Sequence, residues 1–599
     1  MCGIIGYVGN RNTADVLIGG LKKLEYRGYD SAGIALYKDG AIQVYKKKGK
    51  VQSLADAVAG QNTAGVHAGI GHTRWATHGE PSDINSHPHR GKNVVLVHNG
   101  IIENYLEIKE ELAAKGIRPA GDTDTEIAAL LIDDLYSGDP IDTIYRAAAR
   151  LRGSFALGIM FCDQPDVIYA IRKDSPLIIG RGEGENFIAS DIPAILEYTH
   201  DYYLLEEGEL AILTSNEIRF LNADRQPLKK QALTADWDEQ SAQKGGWQHF
   251  MEKEIHEQPR VVKETIAQYY KNGCLFPESR INFALKGRIH IVACGSAYHA
   301  GLLGKYAIEK LARIPVEVEI ASEFRYADPI LSKDDLVVII SQSGETADSL
   351  AALRLVKQQE IPTLGIVNVW GSSLAREAEN VIYTAAGPEI SVATTKAYTC
   401  QVVLLYLLAL RLGQSRLSAT ECAEKIKELE SLPELIEKVL EEKESCRQLA
   451  LQFQQAEHLF FIGRGQDYCL SCEGSLKLKE ISYVHSEAYA AGELKHGTIS
   501  LIEAGTPVVA VMTDRSRIAK TASNIKEVHS RGAKVLCITY QDVDIADFSD
   551  YRLNVPPCSD FLAPIPGVIL TQLFAYYVSV ARGNDVDKPR NLAKSVTVE

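Results

Sequence analysis

The chain has 599 residues, 46% of them hydrophobic and 24% charged, with a formal net charge of −14. That length exceeds what one hydrophobic core supports, so three or four domains are expected. The acidic balance weighs against nucleic acid and anionic membranes as partners, because both need basic surface. It leaves room for a phosphate-bearing substrate, which needs only a local cluster of donors.

The opening Met1-Cys2-Gly3-Ile4-Ile5-Gly6 has neither a basic start nor an uninterrupted apolar region, so no secretory leader is read there. The longest apolar stretch, about Ala397 to Leu412, is interrupted by Thr399, Gln401 and Arg411. It falls short of the roughly 20 residues a bilayer requires and predicts a buried helix instead. The 11 cysteines are scattered and odd in number, which points to a reducing, cytoplasmic setting.

Up to about residue 220, short β-type runs alternate with glycine and helical patterns: Ala32–Tyr37, Val94–Val97, Phe155–Met160 and Glu209–Leu213, with helices over Tyr105–Ala114 and Thr125–Tyr136. An α+β layered domain over residues 1–221 follows. Residues 222–248 lose apolar periodicity and are read as a linker, and a charged helical segment occupies about His249–Lys271. Beyond it the chain repeats. Val337–Ser341 is echoed by Val508–Met512, and Leu364–Val367 by Val535–Ile538, at one fixed offset. Each copy alternates buried strands with helices, predicting two parallel-sheet α/β domains over 284–423 and 452–589, with a tail at 590–599. Charged amphipathic helices broken at Leu432-Pro433 fill Ser418–His458.

If Met1 is removed, the mature chain starts at Cys2, whose α-amine titrates near ~8 and so can accept the thiol proton. Three other segments supply what amide hydrolysis needs. Asn99 and Gly100, after a buried strand, offer a side-chain amide and a backbone N–H for an oxyanion. Arg74 can grip a carboxylate through its planar fork, and Asp124 can face an ammonium. Singly these are a hairpin turn, a surface arginine and a helix cap; together they fit a free amino acid with an amide side chain.

In the first copy, Ser341-Gln342-Ser343-Gly344-Glu345-Thr346 lies between a strand and a helix over about Ala347–Gln358. A phosphate there meets free N–H groups, the positive end of the helix dipole and several hydroxyls, more than a simple cap uses. Cys294-Gly295-Ser296-Ala297 and Val392-Ala393-Thr394 have similar placements and are expected to line the same pocket. The second copy has Thr513-Asp514-Arg515-Ser516-Arg517 at the matching point and no such cradle. It carries proton-transfer groups instead. Lys477 and Glu480 share a helix face, and His496 follows glycine-rich backbone. Lys594, in the tail, is placed to form a Schiff base with a ketose.

Cys2–Gly6, Tyr26–Gly33, the Arg74 segment, His98-Asn99-Gly100 and Thr123–Glu126 resemble class II glutamine amidotransferases of the N-terminal-nucleophile αββα fold. The duplicated half resembles sugar isomerase (SIS) domains. End to end, the chain is similar to the isomerizing glutamine–fructose-6-phosphate aminotransferase family, which makes glucosamine 6-phosphate for amino-sugar synthesis. That resemblance implies Cys2 as nucleophile, Asn99 and Gly100 as oxyanion hole, and Arg74, Thr77, His78 and Asp124 around glutamine. Trp75 resembles the gate of an ammonia channel. Ser341, Gln342, Ser343 and Thr346 would bind the phosphate, with Cys294, Ser296, Val392 and Thr394 nearby. Glu480 would move the proton between C1 and C2, His496 of a neighbouring subunit would open the ring, Lys594 would hold the open ketose, and Lys477 would assist. The likeness also implies a cytoplasmic homodimer without metal or organic cofactor, of bacterial type. Two positions depart from it: Ala297 replaces a frequent serine, and Thr394 another. Losing one neutral hydrogen bond at Ala297 costs about 0.5–1.5 kcal/mol.

Other patterns carry less. Cys469-Leu470-Ser471-Cys472 has no second ligand pair at zinc spacing and is read as helix core; His87-Pro88-His89 lacks partners; Gly463-Arg464-Gly465 lacks a third spaced glycine. Two other functions stay open. One is a sugar-phosphate-binding regulator with a vestigial glutaminase, which has no use for Glu480, His496 or Lys594. The other is an amidotransferase acting on another phosphosugar, or in the deglycating direction.

Overall fold

The computed structural model describes residues 2–38, 40–76, 78–234, 244–277 and 285–597. It divides into two compact units, Met1–Ala242 with Ala593–Glu599, and Gln243–Leu592.

Two antiparallel sheets, of eight and seven strands, form the centre of the first unit. Alternation along each strand decides what lies between them. On strand Gly3–Val8, Ile4 and Val8 face the space between the sheets, where they join Val95 and Val97 of strand Val94–Ile102. Ile5 and Tyr7 face the opposite way, onto helix Thr13–Leu24 through Val16, Leu17 and Leu21. Val94 and Leu96 likewise face helix Asp124–Leu135 through Ile127 and Leu131. The period of two thus yields the αββα layering expected from the sequence.

Two local readings change. Strand Val94–Ile102 does not stop before Asn99 but runs on, paired with strand Gly153–Phe161 as far as Ile102 opposite Gly153. Gly100 allows this: its φ is +128°, and a Cβ there would stand 2.0 Å from the Ser154 carbonyl oxygen. The early part of the 222–248 segment is also not irregular, since Leu228 pairs with Phe220, and Leu233–Thr234 pairs with Asp201–Tyr202. Edge strands this short bury too little to leave an apolar signature.

The second unit contains two five-stranded parallel sheets. Numbered along the chain within each copy, both have the order 2-1-3-4-5. The first copy uses Ile289–Ala293, Val316–Ile320, Leu336–Ser341, Thr363–Val367 and Asn380–Tyr383; the second uses His458–Gly463, His485–Ala490, Pro507–Met512, Lys534–Tyr540 and Tyr551–Val555. The copies are not separate globules. One continuous core takes Leu303, Tyr406 and Leu408 from one and Phe461, Leu470 and Phe574 from the other.

Two helices, Lys396–Gly413 and Pro564–Ala581, are long and apolar enough to cross a membrane, but 89% and 83% of them is buried within the protein. The second was not singled out in the sequence. Both are central core helices. Leu407 is fully buried, so Leu407→Ala should destabilise the second unit by about 2–5 kcal/mol. A urea midpoint unchanged from the parent protein would contradict this packing.

Candidate active sites

Cys2 directly precedes the central strand Gly3–Val8, and its neighbours come from every part of the first unit. The Trp75 N–H donates to its Sγ at 3.2 Å. Its carbonyl accepts from Asn99 Nδ2 (3.2 Å) and Arg27 Nε (3.3 Å). Burial pushes the thiol up from its usual value, while the Trp75 N–H and Arg74 pull it down. Arg74 ends strand Ala68–Arg74 and is nearly buried. Its guanidinium donates to the carbonyls of His78 and, at 2.9 Å, Gly79. Asp124 starts helix Asp124–Leu135 and accepts from Ile102 N at 2.9 Å. Cys2, Arg74 and Asp124 are close enough to perturb one another electrostatically. His78 stacks edge-on to Tyr105, and Trp75 is half-buried. Thr77 lies outside the described residues.

Asn99 is oriented from both ends. Its Nδ2 donates to Ser190 Oγ at 2.7 Å, and its Oδ1 lies 3.1 Å from His72 Nε2. That nitrogen is also 2.9 Å from the His98 carbonyl, so with two acceptors before it His72 must carry its proton there. Burial lowers the His72 pKa to about 3, which keeps the ring neutral. His72 stacks on His87 with centroids 4.0 Å apart, which is the packing role left to the His87-Pro88-His89 segment.

In the second unit, the strand order puts the topological switch point between the first and third strands. Ligands of open parallel sheets bind there, outside the carboxyl ends. In the first copy those ends are Ala293-Cys294 and Ser341. Thr346 occupies the N-cap position of helix Ala347–Gln358 but makes no capping bond; its hydroxyl pairs with Ser341 Oγ at 2.9 Å. The cap reading therefore fails, and the leading N–H groups of the helix keep no side-chain cap. Ser341 Oγ accepts from Gly344 N at 3.0 Å, and Gly344 has φ +66°. Gln342 and Ser343 are half-buried in the same turn. Val392 N donates to the Asp587 carbonyl (3.0 Å), and Thr394 Oγ1 donates to Glu389, whose carboxylate also accepts from Thr395 and Ala397 N–H.

The matching crevice of the second copy is filled by the chain itself. Asp467, 1% exposed, accepts from Thr513 N (2.9 Å), Thr513 Oγ1 (2.5 Å) and Asp514 N (3.2 Å). A carboxylate of the chain thus bonds the turn that corresponds to Ser341–Thr346 in the first copy.

The two copies meet chemically through Ser296. Its hydroxyl donates to Glu473 Oε1 at 2.8 Å and accepts from Lys477 Nζ at 3.0 Å. Lys477 Nζ is 3.4 Å from Glu473 Oε1 and 2.6 Å from Glu480 Oε2. Burial works against the Lys477 charge, yet Glu473 and Glu480 raise its pKa to about 12. Burial opposes ionisation of Glu473 too, and Lys477, His299 and Ser296 nevertheless hold it below the usual carboxylate value. His496 is exposed on the short turn Glu493–His496. Lys594 belongs to the first unit, with Ala593–Glu599.

The glutamine amidotransferase domain family matches residues 72–197, and the SIS domain family matches 283–411 and 452–582. Proteins called glutamine–fructose-6-phosphate aminotransferase (isomerizing) from Clostridium tetani and Clostridium acetobutylicum are each 50% identical to this chain over 609 residues, covering 100% of both partners. The chain belongs to this family. A solved C-terminal domain of glucosamine-fructose-6-phosphate aminotransferase from Francisella tularensis is 40% identical, with a TM-score of 0.55. It covers 58% of this chain and 99% of its own length.

Several site neighbours escaped the sequence reading: Ser190, His72, Arg27, Glu473, His299 and Glu389. Arg27 and His72 lie inside the segments that carry the family likeness, but nothing there marks those two side chains, and the other four stand in no pattern that announces chemistry. Except for Glu389, which bonds Thr394, Thr395 and Ala397 close by in sequence, they act across long sequence distances. Ser190 Oγ also accepts from Ile4 N at 2.8 Å. Ser190→Ala strands that buried N–H and loosens Asn99, so a loss of about 1–3 kcal/mol is expected. Thermal unfolding and glutamine hydrolysis should both fall, and unchanged hydrolysis would show that Asn99 needs no such support.

Proposed function

We propose that the chain transfers the amide nitrogen of L-glutamine to D-fructose 6-phosphate, with ketose-to-aldose isomerisation, giving D-glucosamine 6-phosphate and L-glutamate. What supports this is the presence, in one chain of this family, of Cys2 with Asn99 on its carbonyl and Arg74 and Asp124 nearby, and of a Ser341 turn in a copy joined through Ser296 to Lys477, itself paired with Glu480.

In the first unit, Arg74 takes the glutamine α-carboxylate and Asp124 its α-ammonium, with Thr77 and His78 alongside. Once Met1 is removed, the Cys2 α-amine accepts the thiol proton and the sulfur attacks the amide carbon. Negative charge on the carbonyl oxygen is met by Asn99 Nδ2–H and Gly100 N–H. The Asn99 donor now on the Cys2 carbonyl turns to that oxygen. Collapse expels ammonia, past Trp75 as gate, and water hydrolyses the thioester to glutamate.

In the second unit, Ser341, Gln342, Ser343 and Thr346 hold the phosphate, with Cys294, Ser296, Val392 and Thr394 around the sugar. His496, exposed in this chain, comes from the second subunit of a homodimer to open the ring. From the C-terminal tail, Lys594 holds the open ketose as a Schiff base. Ammonia replaces that lysine at C2; Glu480 then takes a proton from C1 and returns it to C2, while the O1 hydroxyl proton passes to the imine nitrogen, leaving an aldehyde at C1 and an amine at C2. The Lys477 ammonium stabilises the charge that passes through O1 and C2. Each cycle consumes one glutamine and one fructose 6-phosphate, and the water spent on the thioester is regained when the C2 carbonyl condenses with Lys594, whose imine ammonia then displaces. No step needs a metal or organic cofactor. The substrates do not call for nucleic acid or membrane, and the 11 free cysteines fit a reducing cytoplasm.

Cys2→Ala should lower glutamine-dependent synthesis by ~10³-fold or more while leaving isomerisation of fructose 6-phosphate in place. Intact glutamine-dependent synthesis in that variant would refute the nucleophile assignment. Incubating the protein with glutamine and a panel of hexose phosphates, with product identification by mass spectrometry, tests the substrate. An amino sugar formed from another phosphosugar alone would displace fructose 6-phosphate.

A further inference from the structure

The buried Lys477 ammonium stands between two carboxylates, and its position depends on how well each is satisfied by other groups. Glu480 is partly exposed and Glu473 is completely buried. A buried carboxylate that lacks donors draws the nearest cation strongly, because attraction grows as solvent is removed. Glu473 has two donors besides Lys477, and both come from the first two turns of helix Gly295–Leu311 in the other copy. Ser296 serves Oε1 at 2.8 Å, and His299 Nδ1 lies 2.8 Å from Oε2. Facing a carboxylate oxygen, Nδ1 is the protonated nitrogen in either charge state of the ring. Ser296 and His299 are three residues apart and therefore share one helix face, so they grip the two oxygens together.

We propose that His299 is a positioning residue for the isomerisation: by holding Glu473 Oε2 it keeps Lys477 directed at Glu480 rather than collapsed onto Glu473. The inference rests on the reading of Glu480 as the proton carrier, and it adds a side chain from the phosphate-binding copy to the machinery of the proton-transferring copy. His299 does not touch the sugar in this account. Its effect passes through Glu473 to Lys477, whose 3.4 Å and 2.6 Å separations from the two carboxylates show which one it now favours. Without the imidazole N–H, Glu473 keeps only Ser296 and pulls the ammonium toward itself. Glu480 then loses the partner that fixes its carboxylate.

The test is steady-state conversion of fructose 6-phosphate to glucose 6-phosphate by the full-length protein. His299→Leu removes the donor and should lower kcat about 10- to 100-fold, the scale of a misplacement near 1 Å. Because phosphate binding is untouched, KM should stay within about threefold. His299→Asn places an amide N–H where Nδ1 was and should recover most of kcat; His299→Gln, whose donor reaches the Nε2 position, should not. If His299→Leu does not fold, judged by its thermal midpoint, the Asn and Gln variants decide alone. Equal kcat for those two, or parental kcat in His299→Leu, overturns the proposal. Glu480→Gln is the control for the underlying reading: activity surviving there refutes the proton carrier itself, whereas its loss beside a fully active His299→Leu refutes only the role of His299.

Discussion

A charged lysine held out of water is expensive, and the isomerase half is arranged around that expense. Lys477 is 1% exposed, with carboxylates on both sides and a hydroxyl from the opposite copy on its ammonium. Such a group stays ionised only where neighbours supply nearly everything that water did. The helix carrying it supplies two of those neighbours, Glu473 and Glu480, and helix Gly295–Leu311 supplies the third. The two copies must therefore meet at these helices, and the shared hydrophobic core beneath them keeps them there. Duplication gave two sheets of the same order, and the ion cluster between them makes one chemical unit.

A different difficulty governs the first unit. Cys2, the nucleophile proposed above, is fixed by partners that are distant along the chain. It is held from the side and from behind: the Trp75 N–H on the sulfur, Arg27 and Asn99 on the carbonyl, and antiparallel neighbours on both edges of the strand it precedes. Asp30 reinforces this, accepting Ala76 N–H at 2.9 Å while its own N–H donates to Arg74. The loop that carries Arg74 and Trp75 is thereby tied to the segment containing Arg27. Buried imidazoles fill the rear of the site as neutral rings rather than as charges, His72 as a directional donor and His87 stacked on it.

Much of this was legible in the sequence because its signals are local. Helices Tyr105–Ala114 and Ala347–Gln358 end where their periodicity does, and the offset between copies foretold two sheets of one topology. Cys2, Arg74, Asp124 and the Ser341 turn stand in dense runs whose residue types already suggest their tasks. Long-range partnership was not legible. Ser190 lies 91 residues from Asn99, and Glu473 lies 174 from His299. A serine in a loop or a glutamate on a helix looks ordinary until folding brings the other half of the bond. The continuation of strand Val94–Ile102 through Asn99 was missed for a related reason: a glycine reads as a stop, whereas here it lets two backbones approach.

Asp467 couples two parts of the second copy. Its carboxylate ties the ends of two parallel strands together through Thr513 and Asp514. The helix that begins beside it, Gln466–Ser482, also carries Glu473, Lys477 and Glu480. A disturbance at Asp467 is therefore transmitted along one rigid rod to the ion cluster.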